Sequence, residues 1–326
     1  MPSYITGKNG LIAYACSAVM LFNIQSIDTM KDSRDMARAA LNDKSYDSVI
    51  EQQVALVAST SANYIALDVP YDEEFVPVLE RWVEAARSKE LHVWFRGNLA
   101  GWEGWFGYEK IGREEHLKQV ENFILGHPDL FKDGDIFTAC PECENGGPGD
   151  PRRTGDVTGF RDFLINEYTI HGSDFKQIGK KVRLFTSMNA DVARLIMDEA
   201  TTKSLGGVVV IDDYRKSPAE LEADILELHE SSGGKIVLGE FGGPIPDING
   251  DLDEAGQADL IDGIGRVLAK HAGIIEGVNY WTLRFGTTAL IRDDLTPKPA
   301  LESIRDLYTQ HVSAWRRFVL FLQGLL

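Results

Sequence analysis

Eight short apolar runs, each followed by a segment of helical periodicity, constrain the fold more than any other feature of this 326-residue chain. The runs are rich in Val, Ile and aromatic residues, and several are apolar throughout, which is typical of parallel strands covered on both faces. They lie at 19–24, 63–69, 91–96, 135–140, 181–186, 207–212, 235–241 and 277–283, with helical patterns at 46–59, 73–89, 114–125, 156–180, 190–201, 218–231, 257–272 and 299–310. Eight strand–helix units predict an α/β fold, the (β/α)8 or TIM barrel.

An open doubly wound sheet is the alternative arrangement of such units, and its first turn is often rich in glycine. No G-x-G-x-x-G follows the first run, and no G-x-x-x-x-G-K-[ST] occurs in the sequence. No linker divides the chain. We therefore expect a single barrel domain over residues 1–310, followed by an apolar helix or tail over 311–326.

The formal net charge of −17 bears on the partners of the protein. Nucleic acids and anionic membrane surfaces are bound by basic faces, so the charge argues against both and fits a neutral substrate. Residues 1–20 include the apolar run GLIAYACSAVMLF, but they lack a basic flank and a clear cleavage site, and we predict no membrane-spanning segment. We expect a cytoplasmic protein, or a secreted one whose signal peptide is absent from this sequence. The oligomeric state stays open.

Polar and aromatic residues gather where the runs end, which is where barrels of this kind perform their chemistry. The candidates are Arg96, Asn98 and Trp102 after the third run, Glu142, Glu144 and Asn145 after the fourth, Asp212 and Tyr214 at the sixth, Glu240 in the seventh and Trp281 in the eighth. Carboxylates facing each other across a barrel mouth are suited to glycosidic bonds, since one attacks while the other, kept protonated, assists the leaving oxygen. In the alternative interpretation, Glu240 pairs with an arginine such as Arg96 and stabilises the barrel end.

Cys140-x-x-Cys143 offers a different interpretation of the fourth segment, as a redox pair or half of a zinc site. Structural zinc uses four ligands, and the sequence has no second C-x-x-C, no H-x-H and no H-E-x-x-H. We therefore predict neither a metal nor a cofactor. Cys140 is expected to pack in the barrel, and Cys143 to shape the loop.

Four segments carry a resemblance to a known family: IFTACPEC, IVLGEFGG, NYWTLRFG and LTPKPALESI. Together with the strand order, they resemble the retaining glycoside hydrolases of clan A, the superfamily that includes cellulases and mannanases, over residues 19–310. The resemblance implies Glu142 as acid/base, Glu240 as nucleophile, Trp281 as the aromatic platform under the sugar and Tyr214 as a contact of the nucleophile.

The fourth segment departs from the clan pattern, because Pro141 stands where the clan has Asn before the acid/base. Glu144, the other candidate acid, is preceded by Cys143. Strand register favours Glu142 over Glu144. Asn98 or Asn145 would then hold the sugar 2-hydroxyl.

The sequence thus predicts a retaining β-glycosidase for a neutral β-linked oligo- or polysaccharide, with β-glucan as first choice and β-mannan as second. The loop at 97–110, which includes Trp102, either forms sugar-stacking subsites or folds on an apolar core of its own. Two other functions stay open: a catalytically silent carbohydrate-binding barrel, and a barrel enzyme of other chemistry such as an aldolase or isomerase. The latter would use a strand-end Lys or a phosphate-binding loop, and we find neither.

Overall fold

The computed structural model describes residues 20–310, whose strands form one parallel sheet. The segments are β1 (Ile24–Asp28), β2 (Tyr64–Leu67), β3 (His92–Phe95), β4 (Ile136–Phe137), β5 (Arg183–Leu184), β6 (Ser187–Asn189), β7 (Val208–Asp212), β8 (Lys235–Phe241) and β9 (Ile275–Tyr280). Their order is β5-β4-β3-β2-β1-β9-β8-β7-β6. The apolar tail predicted at 311–326 lies outside the described residues.

The two outer members of this order, β5 and β6, are parts of one barrel strand separated by Phe185 and Thr186. β5 pairs with β4, and β6 pairs with β7. Because β5 and β6 are parts of the same strand, they connect the two ends of the sheet. The sheet closes into a ring of eight barrel strands. The predicted (β/α)8 barrel is confirmed.

The first strand differs from the prediction, since it begins at Ile24 where the predicted run 19–24 ends. Its sequence, IQSID, is too polar to resemble a buried strand, yet every residue of it is buried. Polar partners inside the fold explain this: the Gln25 side chain donates to the Tyr308 carbonyl at 3.0 Å, and the Tyr308 hydroxyl donates to the Ser26 carbonyl at 2.6 Å. Burial of satisfied polar groups costs little, and apolar pattern alone does not reveal it.

Helices surround the ring. The longer ones are Asp47–Ser59, Val76–Ser88, Arg113–Gly126, Val157–Gln177, Pro218–Ser232, Glu254–Lys270 and Pro299–Thr309, and the shorter ones are Met30–Ser33, Ala37–Ala40, Ala100–Glu103, Pro151–Thr154, Ala190–Ile196, Glu199–Ser204 and Pro246–Asn249, with 3-10 turns at Lys44–Tyr46, Glu73–Phe75, Trp105–Gly107 and Pro128–Leu130. Local chemistry sets their starts: the Ser217 side chain accepts from the Glu220 N–H, and Pro218 occupies the first turn. Among the described helices, none is long and apolar enough to cross a membrane.

The core has two parts. The larger lies between the strands and the helices, and the smaller fills the barrel with side chains that include Ile24, Trp94 and Val237. Nε1 of Trp94 donates to the Thr138 hydroxyl at 2.9 Å. The guanidinium of Arg96 lies 5.4 Å from the centre of the Trp94 ring. At the carboxyl ends of the strands, the apolar interior of the barrel thus ends at the Trp94 ring, which lies against the charged side chain of Arg96.

Truncating the core tests this packing. Leu238 in β8 has 0 % exposure, and Leu238→Ala removes buried methyl groups and leaves a cavity, so the free energy of unfolding should fall by about 2–5 kcal/mol. Leu195→Ala, at a leucine that is 44 % exposed, is the matched control and should change it by no more than about 0.5 kcal/mol. Urea denaturation measures both, and equal losses would contradict the core assignment.

Candidate active site

The guanidinium of Arg96, just after β3, is the centre of the site, and its side chain is 1 % exposed. Its Nη2 lies 2.6 Å from Oε1 of Glu240, and its Nη1 donates to the Gly239 carbonyl at 2.8 Å. These contacts give Arg96 a role in holding Glu240, and its contact with substrate stays a prediction. The predicted pairing of Glu240 with Arg96 is present.

Three further carboxylates surround the same guanidinium. Nε lies 3.3 Å from Asp28 Oδ2 and 3.8 Å from Asp68 Oδ1, and Nη2 lies 3.5 Å from Asp212 Oδ2. Burial raises the pKa of Asp212, and burial and the neighbouring Asp28 raise the pKa of Asp68 well above its usual value. The site therefore holds more carboxyl groups than cations, which favours the protonated form of some of them.

Both carboxylate oxygens of Glu240 are held by donors. Oε1 accepts from Arg96, and Oε2 accepts from the Tyr214 hydroxyl at 2.7 Å. Burial and the charge of Glu240 raise the pKa of Tyr214 well above its usual value, so the phenol stays a donor. The Trp281 ring stands edge-on to Tyr214, with centroids 6.0 Å apart, and Lys31 Nζ lies 5.3 Å from the centre of the Trp281 ring.

Glu142 lies on the turn after β4 and has a left-handed backbone, with φ of 49°. Non-glycine residues in this conformation are strained and often occur at functional sites. The turn is fixed because the Glu142 N–H donates to the Ser187 carbonyl at 3.0 Å, and Oε2 accepts from Asn145 Nδ2 at 2.8 Å. Burial, Asp212 and Glu144 raise the pKa of Glu142 to about 8.

Glu240 and Glu142 influence each other's ionisation. Burial, Asp212 and Glu142 raise the pKa of Glu240 well above its usual value, while Arg96 lowers it. The two carboxyls therefore titrate as a pair. Glu240 has a guanidinium and a phenol as donors, whereas the Glu142 carboxyl has an amide. The guanidinium and the phenol stabilise the charged form of Glu240 more than a neutral amide stabilises that of Glu142.

Glu144 is buried, and its carboxyl is bonded to Asn189 at the end of β6. Its Oε1 accepts from the backbone N–H of Asn189 at 2.7 Å and from Asn189 Nδ2 at 2.9 Å. Burial raises its pKa to about 7. These bonds anchor the loop to the end of β6, so Glu144 has a structural role in this arrangement.

Two predicted binding residues are fully buried. Trp102 has 0 % exposure, its ring stacks on Phe163 with centroids 5.7 Å apart, and its Nε1 donates to the Cys143 carbonyl at 3.1 Å. Asn98 is also fully buried, and its Oδ1 accepts from the Leu99 N–H. Burial leaves neither side chain a surface for substrate, so both predictions are corrected. Asn145 is the candidate asparagine that contacts Glu142.

The aromatic loop at 97–110 folds largely on neighbouring side chains. The Phe106 ring lies 5.0 Å from that of Phe75, and the Tyr108 hydroxyl donates to Glu74 at 2.6 Å. The guanidinium of Arg34 covers Trp105 at 4.4 Å. The loop is thus packed against the main core of the protein, which is closer to the folded-loop interpretation than to a row of sugar-stacking subsites.

Cys140 and Cys143 are joined as a disulfide, which the sequence analysis did not predict. Donor atoms of His116, Cys140 and Glu167 lie within 4.8 Å of one another, but a disulfide sulfur is not a thiolate ligand. His116 Nε2 bonds Glu167 Oε1 at 3.0 Å, so these buried groups satisfy each other. We assign this cluster no metal. Through the disulfide it is connected to the loop that carries Glu142.

Sequence reasoning missed two polar residues beneath the site. The Ser187 hydroxyl lies 2.8 Å from Asp212 Oδ2, and Asn279 Nδ2 donates to the Gly239 carbonyl at 2.8 Å and to Asp28 at 3.2 Å. Ser187 lies one residue beyond the predicted fifth run. Asn279 is inside the quoted NYWTLRFG segment, where an amide within an apolar strand was the signal.

No family model matches the sequence, and the comparison with curated proteins finds no match. Solved structures do match. They include a β-glycosidase (14 % identity, TM-score 0.58, 81 % of this chain and 86 % of that one) and a broad-specificity family 5 endoglucanase from Clostridium longisporum (14 %, 0.57, 79 % and 85 %). The chain has the fold of these glycoside hydrolases. The resemblance to clan A is confirmed in fold.

A third match is longer than this chain. It is a β-D-glucuronidase from Dictyoglomus thermophilum, with 15 % identity and a TM-score of 0.59, and it covers 89 % of this chain. This chain spans about half of its length, 51 %. The similarity therefore concerns the barrel.

Arg96→Leu tests the charge balance of the site. It leaves buried carboxyls without their cation, so the free energy of unfolding should fall by about 3–5 kcal/mol at pH 8. Glu240 and Asp68 have raised pKa values in the fold, so they bind protons that the unfolded chain releases, and stability falls as pH rises above their ordinary range. Without Arg96, the free energy of unfolding should fall more steeply as pH rises. Arg96→Leu should therefore lose less stability at pH 5 than at pH 8.

Thermal unfolding at the two pH values measures the difference between wild type and variant. Arg38→Leu is the control, because Arg38 pairs with Glu74 at the surface, 3.1 Å apart, where such pairs contribute about 0–1 kcal/mol. A loss in Arg96→Leu that does not depend on pH would show that packing rather than charge accounts for it.

Proposed function

We propose that the protein is a retaining β-glycosidase in which Glu240 is the nucleophile and Glu142 the acid/base. The observation that carries the proposal is the contrast between the two carboxyls. Burial and negative neighbours raise the pKa of both, but Glu240 accepts hydrogen bonds from a guanidinium and a phenol that favour its ionised form, whereas Glu142 accepts from a neutral amide and has a pKa of about 8. Glycosidases use such a pair, with one carboxylate ionised and the other held as an acid.

In the first step, Glu240 attacks the anomeric carbon, and the bond to the leaving oxygen breaks as Glu142 donates its proton to that oxygen. Tyr214 and Arg96 fix the direction of the Glu240 carboxylate, which lowers the cost of reaching the attacking geometry. The product is a glycosyl ester on Glu240.

In the second step, Glu142, now ionised, takes a proton from water, whose oxygen attacks the anomeric carbon and releases Glu240. Asn145 faces the same carboxyl through its NH2 group and stabilises this ionised form. Both steps invert the anomeric centre, so the configuration is retained overall.

The charge of the site supports a neutral substrate. Asp28, Asp68 and Asp212 surround the one guanidinium that contacts Glu240, and an anionic sugar would meet further negative charge there. We propose a β-linked oligo- or polysaccharide, with β-glucan as first choice and β-mannan as second. The endoglucanase fold supports the glucan choice by analogy alone, and the charge argues against the uronide that the third match is named for.

Hydrolysis of aryl β-glycosides, β-glucans and β-mannans tests the proposal. Glu240→Ala should lose activity by about three orders of magnitude or more, because no other group replaces the nucleophile. Glu142→Ala should keep its first step on dinitrophenyl glycosides, which need no acid, and azide should restore turnover and yield a β-glycosyl azide. The product configuration is read by NMR.

Glu144→Ala is the matched control for the acid assignment, since both residues lie on one loop and have raised pKa values. Azide rescue in Glu144→Ala rather than Glu142→Ala would transfer the acid role to Glu144. If wild type hydrolyses nothing on the panel but binds the same oligosaccharides, the protein is a silent carbohydrate-binding barrel instead.

The pH profile of kcat/KM gives an independent test. The nucleophile must be ionised, and Glu240 has a raised pKa, so activity should fall on the acid side at a pH above its ordinary value of 4.5. The acid must be protonated, so activity should fall on the alkaline side near pH 8. Glu144→Gln removes a negative charge that raises the pKa of Glu142, so the alkaline limb should move to lower pH. An unmoved limb would contradict the coupling.

A further inference from the structure

The loop after β4 contains a chain of three side chains that ends on the candidate acid/base. Asn145 Nδ2 donates to Glu142 Oε2 at 2.8 Å, and Arg152 Nη2 donates to Asn145 Oδ1 at 3.0 Å. Arg152 lies in the short helix Pro151–Thr154. The amide thus connects a guanidinium to the carboxyl of Glu142.

The chemistry of these groups fixes which way the amide points. A guanidinium has donors and no acceptor, so it accepts no bond from the NH2 group and must face the amide oxygen. With Oδ1 held by Arg152, the NH2 group of Asn145 faces Glu142. An amide that turned over would present its oxygen to Glu142, and that oxygen bonds a protonated carboxyl but not an ionised one.

Arg152 is itself held in place by two carboxylates. Its Nε lies 3.0 Å from Asp150 Oδ1, and its Nη2 lies 3.1 Å from Asp150 Oδ2. Its Nη1 lies 3.3 Å from Asp191. Asp150 also accepts from the backbone N–H of Arg152 at 2.9 Å and so caps the helix that carries it. A guanidinium bonded at every nitrogen is a rigid support for the amide.

We propose that Arg152 is a positioning residue: through Asn145 it keeps an N–H donor on Glu142 and favours the ionised form that the second step requires. The inference rests on the proposed function and deepens it. Arg152 does not touch the carboxyl that it controls, and its effect passes through one amide.

The surroundings of Glu142 show why one donor matters. The charged or titratable groups that face it are Arg96 from the segment after β3, Asp212 and Tyr214 from β7 and the segment after it, Glu240 from β8 and Glu144 from its own loop. Burial, Asp212 and Glu144 raise the pKa of Glu142, and Arg96 and Asn145 lower it. Loss of the amide donor removes one of two groups that oppose the rise.

The pKa of Glu142 in Arg152→Met is the first measurement. The carboxyl carbon of Glu142 is followed by NMR in protein labelled with 13C-glutamate, with the signal assigned by its absence in Glu142→Gln. The pKa should rise by about one unit, the worth of one hydrogen bond to a charged group. Arg153→Met is the matched control: Arg153 is 86 % exposed and pairs with the same Asp150 at 3.4 Å, and the pKa should not change.

A double-mutant cycle separates the bond from the charge of Arg152. If Arg152 acts through the amide, Asn145→Ala should shift the pKa by itself, and adding Arg152→Met should shift it no further. Shifts that add would show that the charge of Arg152 acts directly and would overturn the proposal. An unchanged pKa in Arg152→Met would also overturn it.

Kinetics on dinitrophenyl glycosides add a readout that a general loss of structure would not give. Arg152→Met should lower kcat more than kcat/KM, because the second step needs the base, and azide should restore kcat. Equal losses would contradict the positioning role. If wild type does not turn over any glycoside, the proposed function fails, while the NMR titrations still decide the role of Arg152.

Discussion

The ion cluster around Arg96 is the constraint on which the candidate active site depends. Asp28 belongs to β1, Asp68 follows β2, Asp212 ends β7 and Glu240 lies in β8, so one guanidinium after β3 ties the ends of separate strands together. A buried guanidinium requires buried anions, and buried anions require it. The positive charge of Arg96 opposes the rise that burial causes in the pKa of Glu240 and so favours its ionised form.

The two candidate catalytic carboxyls differ because of their settings, not their chemistry. Glu240 lies on a long strand and has fixed charged and phenolic donors, whereas Glu142 lies on a turn and has an amide. Burial and the negative charge of Asp212 make ionisation of both carboxyls unfavourable, and the hydrogen bonds from Arg96 and Tyr214 oppose this effect at Glu240. The excess of acidic residues in the whole chain is thus also present at the barrel mouth, where it raises the pKa of Glu142 and Glu240.

The sequence predicted the architecture well, because parallel strands and their helices have strong periodic patterns. The prediction for β8, 235–241, coincides with Lys235–Phe241, while β1 was wrong because Gln25 and Asp28 are buried polar residues whose partners are distant in sequence. Within the site, strand-end position singled out Glu240, but Trp102 was misjudged, since aromatic spacing in a loop does not reveal burial. Arg152 was missed because its partners Asp150 and Asn145 become meaningful only when the loop is folded.

The interruption between β5 and β6 affects more than the regularity of the sheet. β5 is hydrogen-bonded to β4, and β6 is hydrogen-bonded to β7. Phe185 and Thr186 therefore lie at a seam between the half of the ring that contains β4 and the half that contains β7. The bond from the Glu142 N–H to Ser187 and those from Asn189 to Glu144 cross this seam. The loop that carries Glu142 and Glu144 thus joins the two halves of the ring through hydrogen bonds. A separation of the barrel along this line would move the candidate acid/base, Glu142, more directly than the candidate nucleophile, Glu240, which lies in β8.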